Sequence, residues 1–301
     1  MIGASARCAP YAMVLAASAA VLDAAQPTFK GRVDAVRIDV SVMHGGQPVH
    51  GLTASDFVVL DNGAAQRIEQ VSGERSPVSV VMALDVSGSV AGDKLRHLVA
   101  AGHALVGALV EGDRAALVTF SHDVRVRVPL TANRAQLAAA LDELKADGPT
   151  ALRDAIWSAL QLRPMDESRP LVLVFTDGLD TASWLSSSEI LGAARRLGVV
   201  IHVVELATEQ AVTNMRGLST RQVFGNPFLE TIANSAGGRL WSATDSKHLP
   251  ALFTQALEEM RARYLLTFYP EPPARSGWHD LKVSLKTGRA EITARRGYQV
   301  P

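Results

Sequence analysis

The sequence predicts an α/β fold: a doubly wound, mostly parallel sheet inserted between two flanking β segments that pair into a small β-sandwich. Three observations predict it. Between Val78 and Tyr264, short continuous apolar runs alternate with stretches whose apolar residues recur at helical spacing, the pattern of repeated β-α units. On either side of that region, apolar and polar residues alternate with a period of two, as in half-buried strands. Neither flank carries enough strands to close a core by itself, so the two are expected to complete each other.

Residues 1–25 read as an export leader. Arg7 is the only charge before an apolar run from Ala12 to Leu22, which is short for a membrane span of about 20 residues. Ala19, Ala20, Ala24 and Ala25 offer cleavage points. Cys8 precedes the apolar run, where a lipoprotein anchor does not fit, and it is the only cysteine. A disulfide framework or a cysteine zinc site within one chain is therefore excluded.

The first flank is assigned to residues 26–77. Val36, Ile38, Val40 and Val42 alternate with Arg37, Asp39 and Ser41, and His44 to Gln47 read as a turn. Phe57 to Leu60 end at Asp61-Asn62-Gly63 before Gln66 to Val71 resume, and Asn-Gly between apolar runs is a hairpin signal. The central region, 78–264, opens on Val78–Leu84, β-branched and continuous as in a strand covered on both faces. Helical spacing follows at Leu95, Leu98, Gly102, Leu105 and Leu109, then a strand at Ala115–Phe120. Helices are expected around Leu137 to Leu144 and Leu152 to Leu160, and a third buried strand at Leu171–Phe175. Next come a helix at Ile190–Leu197, a strand at Val199–Leu206, a long connection from Glu209 to Asn226, a short helix at Phe228–Ser235 and an edge strand at Arg239–Ser242. A last helix, Pro250 to Tyr264, leads into the closing flank, 265–301, where Leu281, Val283 and Leu285 alternate with Lys282, Ser284 and Lys286.

Thirty basic residues balance thirty acidic ones, so charge gives no reason to expect nucleic acid or an anionic membrane as partner. No window after the leader is long and apolar enough to span a bilayer. The expectation is an exported protein, periplasmic or secreted, with no membrane span once the leader is removed.

One junction is chemically distinctive. The apolar run Val78–Leu84 stops at Asp85-Val86-Ser87-Gly88-Ser89. Asp, Ser and Gly all favour turns, so turn chemistry alone would account for it. A second aspartate, Asp177, ends the run Leu171–Phe175 in the same way, as Thr176-Asp177-Gly178. Ligands of open parallel sheets bind beyond the carboxyl ends of the strands. If the two strands are neighbours, two carboxylates face one crevice and resist joint ionisation, a conflict that a divalent cation resolves. Oxygen ligands with hydroxyls among them suit Mg²⁺, Mn²⁺ or Ca²⁺.

Together these motifs resemble the von Willebrand factor A family. Its metal-ion-dependent adhesion site takes an Asp-x-Ser-x-Ser loop, a threonine from a middle loop and an aspartate after a later strand. Asp85, Ser87 and Ser89 match the first, and Thr150 in Asp147-Gly148-Pro149-Thr150-Ala151-Leu152 resembles the second. Asp177 resembles the third. The resemblance implies a divalent metal, most simply Mg²⁺, that keeps a position open for a carboxylate from a protein partner. The flanks, with Gly51-Leu52-Thr53-Ala54-Ser55-Asp56-Phe57, Tyr264 to Tyr269 and the closing Arg296-Gly297-Tyr298, resemble the bacterial exported "VWFA-related" group.

Asp180 and Trp184 follow the third loop, and Arg216 and Arg221 lie in the long connection; these four are expected at the rim of the site. Catalysis has little support. The eight histidines are scattered without His-Glu-x-x-His spacing. Ser87 lacks a Gly-x-Ser-x-Gly elbow, and no glycine-rich phosphate loop is present. The expected function is metal-dependent protein binding or adhesion, without enzymatic activity. The alternatives are a scaffold or assembly component of a cell-envelope complex and, less simply, a Mg²⁺-dependent hydrolase.

Overall fold

The computed structural model describes residues 35–73, 76–166, 168–213, 219–224, 226–272 and 275–300, with side chains omitted from 208 to 225. The leader expected at 1–25 lies outside the described residues. The first flank supplies β1 (Val36–His44), β2 (Gln47–Pro48), β3 (Phe57–Asp61), β4 (Ala64–Gln66) and β5 (Ile68–Ser72). The central region runs β6 (Val78–Asp85), α1 (Asp93–Ala108), β7 (Arg114–Phe120), β8 (Val124–Thr131), α2 (Arg134–Asp142), α3 (Leu152–Gln161) and β9 (Arg169–Thr176). It continues with α4 (Ser187–Leu197), β10 (Val200–Leu206), β11 (Thr208–Thr213), β12 (Ser219–Phe224), α5 (Pro227–Ser235), β13 (Leu240–Ala243) and α6 (Leu249–Arg261). The closing strands are β14 (Tyr264–Phe268), β15 (Gly277–Leu285), β16 (Glu291–Thr293) and β17 (Gly297–Val300).

The two flanks interleave. One antiparallel sheet has the order β16-β1-β14-β5 with β2 beside β1, and the other has β17-β15-β3-β4. Each sheet therefore mixes strands from both ends of the chain, because neither end could bury its apolar face alone. Ile38, Val40 and Val42 from the first flank share a core with Phe57, Val59, Leu266, Phe268 and Leu281. Asn62 and Gly63 take positive φ values of 48° and 84° in the β3–β4 hairpin, as a tight turn matching strand twist requires. The residue that leads into that turn meets the last strand and β15 physically. Tyr298 Oη donates to Asp61 Oδ2 at 2.7 Å, and His279 Nδ1 lies 2.8 Å from Asp61 Oδ1. Gly297 is a necessity there, since a Cβ would stand 2.3 Å from the His279 carbonyl and from the Trp278 ring.

The central sheet has the order β13-β10-β9-β6-β7-β8, parallel except for β8. Helices α1, α2 and α6 cover one face and α3, α4 and α5 the other. Strand β6 is buried along its length, which is why its sequence reads as one apolar run rather than an alternation. Two elements differ from expectation. Val124–Thr131, not anticipated as a strand, pairs antiparallel on the edge beyond β7. The long connection after β10 is a β11–β12 hairpin rather than an irregular loop.

The α/β region and the sandwich are joined through buried charge. Arg169 at the start of β9 donates through Nε to Asp39 of β1 at 2.8 Å. Arg263, fully buried between α6 and β14, donates to both oxygens of Glu259 and to the Gly237 carbonyl. His202 of β10 lies 2.7 Å from Glu259 through Nε2, while its Nδ1 accepts the Arg239 backbone N–H. That contact leaves the ring proton on Nε2. Burial pushes the His202 imidazole below its ordinary value despite the pull of Glu259. Burial also opposes charge on Glu259, but Arg263 and then His202 outweigh it and hold its carboxyl well below the carboxylate range.

Arg263→Ala strands a buried carboxylate and is expected to lower the unfolding free energy by about 3–5 kcal/mol, read by urea titration. Arg96→Ala, which removes only an exposed pair with Asp93, is expected to leave it unchanged. The neutral His202 also makes the fold acid-sensitive. The unfolded chain takes up this proton near pH 6.5 and the folded chain only at lower pH, so the contribution of His202 to stability falls as pH drops through about 6.5. Glu259 adds its own loss only below about pH 4.3. Burial opposes charge on His279, but the Arg275 carbonyl and Asp61 outweigh it and raise its imidazole, so His279 works in the opposite direction. Urea titrations at pH 7.5 and 5.5 are therefore read as a difference, and lowering the pH is expected to act less unfavourably on His202→Asn than on wild type.

Candidate metal centre

The parallel register brings the two aspartates together. Strands β6 and β9 are hydrogen-bonded neighbours with Leu84 opposite Phe175, so Asp85 and Thr176 occupy equivalent ends. Thr176 Oγ1 donates to Asp85 Oδ2 at 2.6 Å. The other Asp85 oxygen accepts the Ser87 backbone N–H at 2.9 Å, which folds the loop back over the strand end. Ser87 and Ser89 then place their hydroxyls 3.1 Å apart. Ser89 Oγ donates to Asp177 Oδ1 at 2.6 Å. One chain of hydrogen bonds thus runs from the Ser87–Ser89 hydroxyl pair to Asp177.

Thr150 reaches this group through backbone stitching. Gly88 N–H, between the two serines, donates to the Gly148 carbonyl at 2.9 Å, and Asp147 N–H donates to the Val86 carbonyl at 2.9 Å. Thr150 follows two residues later and is bound to the third loop on both sides. Its N–H donates to Thr181 Oγ1, and its carbonyl accepts the N–H groups of Thr181 and Ala182. The five residues singled out by sequence therefore lie on three loops tied to one another. Asp85, Ser87, Thr150 and Asp177 are buried and Ser89 is exposed at the mouth.

Burial pushes the Asp85 carboxyl above its ordinary range, Ser87 and Thr176 pull it back, and the negative charge of Asp177 adds to the rise. Two carboxylates and the Ser87 and Ser89 hydroxyls at the ends of adjacent strands, with Thr150 on the loop stitched to them, offer an all-oxygen donor set, which suits a hard divalent cation. The hydroxyls suit it as well, since each keeps lone pairs after donating one hydrogen bond.

Of the four expected rim residues, Trp184 is 96% exposed, so it does not pack on the sheet. Its backbone N–H is fixed by Asp154 Oδ2 at 3.0 Å. Asp180 is turned inward instead. It accepts from Ser183 Oγ, Ser183 N–H, Arg153 N–H and the Arg153 guanidinium. Burial opposes its charge, but these bonds, led by Ser183, hold its carboxyl below the ordinary range. It anchors the loop that carries Leu179 and Trp184, both exposed. Arg216 lies outside the described residues. Arg221 falls in β12, and its side chain is likewise outside what is described. Beside the serine loop, a cavity of about 530 Å³ is lined by Val86, Ser121, His122, Arg125, Lys145 and Asp147 among others.

Two residues at the site were not singled out from sequence. Thr176 is a polar residue closing an otherwise apolar run, and that break in pattern was its signal. Lys94, in the first turn of α1, donates to Asp177 Oδ2 at 2.5 Å and to the Ser89 carbonyl at 3.0 Å. A lysine on a solvent-side helix start carries no local signal of this contact.

Residues 80–179 match the family model for the von Willebrand factor type A domain. A curated relative, an uncharacterised protein of Synechocystis sp., is 26% identical over 147 residues, covering 48% of this chain and 35% of its own length. The chain thus spans about a third of that relative. Among solved structures, a von Willebrand factor type A protein from Catenulispora acidiphila superposes with a TM-score of 0.53 at 14% identity, covering 86% of this chain and 76% of that one. Proximal thread matrix protein 1 from the mussel byssus, in a structure with a zinc-occupied MIDAS motif, gives 0.52 at 18% identity over 65% and 48%. At these identities the structural likeness speaks to the fold. The sheet order, the helical layers and the family match over residues 80–179 agree, and the central region has the fold of a von Willebrand factor type A domain.

Proposed function

We propose that this chain is an exported, metal-dependent protein-binding module. Asp85, Ser87, Ser89, Thr150 and Asp177 would hold a divalent cation, most simply Mg²⁺, with Mn²⁺ and Ca²⁺ also suited to these oxygens. The cation would supply a Lewis-acidic position for a carboxylate of a protein partner. The observation that carries this reading is the meeting of two buried carboxylates and two serine hydroxyls at the ends of β6 and β9, with Ser89 open to solvent. The byssus protein, whose MIDAS motif holds zinc, supports the idea that this fold places a cation there. Exposed Leu179 and Trp184 would line the partner's approach. On this reading residues 78–264 are the binding domain, 26–77 and 265–301 form the supporting sandwich, and 1–25 direct export to the periplasm or beyond.

We read no enzymatic role in the site, because the side chains gathered there hold and orient a ligand without supplying a positioned base or nucleophile. A second reading, a scaffold component of a cell-envelope complex, draws on the buried Asp39–Arg169 joint between sandwich and α/β region. Among the described residues, no helix is long and apolar enough to cross a membrane.

Thermal unfolding with and without millimolar Mg²⁺ or Mn²⁺ tests the binding reading. A cation that binds only the folded state raises the melting temperature by about 2–4 °C for each kcal/mol of linkage in a domain of this size. Wild type is expected to rise and Asp85→Asn is not. Without metal, Asp85→Asn is expected to melt above wild type, because it removes a buried charge facing Asp177. Equal metal responses in the two proteins would refute the assignment.

A further inference from the structure

The candidate ligand Asp177 already has a cation. Its side chain is 1% exposed, yet Lys94 Nζ stands 2.5 Å from Oδ2 while Ser89 Oγ donates to Oδ1. Lys94 also reaches the Ser89 carbonyl, so its ammonium bridges the first and third loops. The lysine side chain is 40% exposed: it enters from solvent and has solvent to return to.

A divalent cation requires lone pairs of these same oxygens. Ser89 can provide one by rotating its O–H, because a hydroxyl is both donor and acceptor. Lys94 has no such option. An ammonium only donates, and its charge repels a dication a few ångströms away across a partly solvated gap. Metal entry therefore requires the lysine to retreat or to be tolerated at a cost in affinity.

Charge counting gives the consequence for the ligand. Asp85 and Asp177 contribute two negative charges and Lys94 one positive. A dication added to the carboxylates alone gives a neutral cluster, and a partner carboxylate would then make it negative. With Lys94 nearby, the loaded cluster is positive by one charge, and the partner carboxylate brings it to neutrality.

We propose that Lys94 is a tethered cation that weakens metal binding and favours an acidic ligand on the loaded site, so that metal and carboxylate each strengthen the other's binding. This rests on the metal reading of the preceding subsection.

The test is Mn²⁺ titration of the full chain, with free Mn²⁺ followed by electron paramagnetic resonance, in the absence and presence of acetate as a carboxylate probe. Lys94→Met is expected to bind Mn²⁺ about tenfold more tightly than wild type, as for removal of one nearby unit charge. Lys94→Gln, which keeps a donor without the charge, is expected to behave likewise, and Lys94→Arg to resemble wild type. Acetate is expected to tighten Mn²⁺ binding more in wild type than in Lys94→Met. Affinity unchanged or weaker in both neutral variants would overturn the role of Lys94. The metal reading would survive that result if Asp85→Asn still abolished wild-type binding. Absence of Mn²⁺ binding in every variant would overturn both.

Discussion

Two carboxylates buried at the ends of adjacent parallel strands are the constraint on which the rest of this molecule depends. Water stabilises a carboxylate far better than a protein interior does, and like charges near each other compound that cost. Asp85 registers both effects, with burial the larger. A chain organised for stability alone would place asparagine or an apolar residue there. Instead the surrounding loops are built around those charges. Thr176 and the Ser87 N–H occupy the two oxygens of Asp85, and Ser89 and Lys94 those of Asp177.

That arrangement needs a rigid frame. The serine loop can hold its shape because β6 is buried on both faces and because Gly88 and Asp147 lock it to the threonine loop. The third loop is held by Asp180 and Asp154, two carboxylates that work on backbone N–H groups rather than on a ligand. Beyond the sheet, the sandwich closes around strands from both flanks and is tied to the α/β region by Asp39–Arg169, while the Glu259–Arg263–His202 cluster fixes the end of α6 where the chain leaves for the sandwich. Helix α6 ends in that cluster, so the helix that leads into the sandwich is fixed by fully desolvated charge.

Much of this was legible in the sequence, for reasons that can be named. Strands covered on both faces, such as Val78–Asp85 and Arg169–Thr176, leave continuous apolar runs, and the polar residues that end them mark the rim of the sheet. Amphipathic helices leave a helical period, as at Leu98, Gly102 and Leu105 of α1. Strand β8 alternates Val124, Val126 and Val128 with Arg125 and Arg127 and could have been read from that period. The β11–β12 hairpin lies in a run of polar residues, where period gives little information. Asp180 illustrates a deeper limit: sequence places it near the site, but its inward turn depends on Arg153 and Ser183, which come from another helix and from later in the same loop. Lys94 is the same case. Its contact with Asp177 spans 83 residues and depends on the sheet order, which no local pattern encodes.

The central claim is that a cation sits among these oxygens, and anomalous diffraction from crystals grown with Mn²⁺ tests it most directly. Metal binding as proposed requires a Mn²⁺ peak at coordination distance from the Ser87 and Ser89 hydroxyls. Full-occupancy manganese elsewhere, with no peak between the serines, would contradict it.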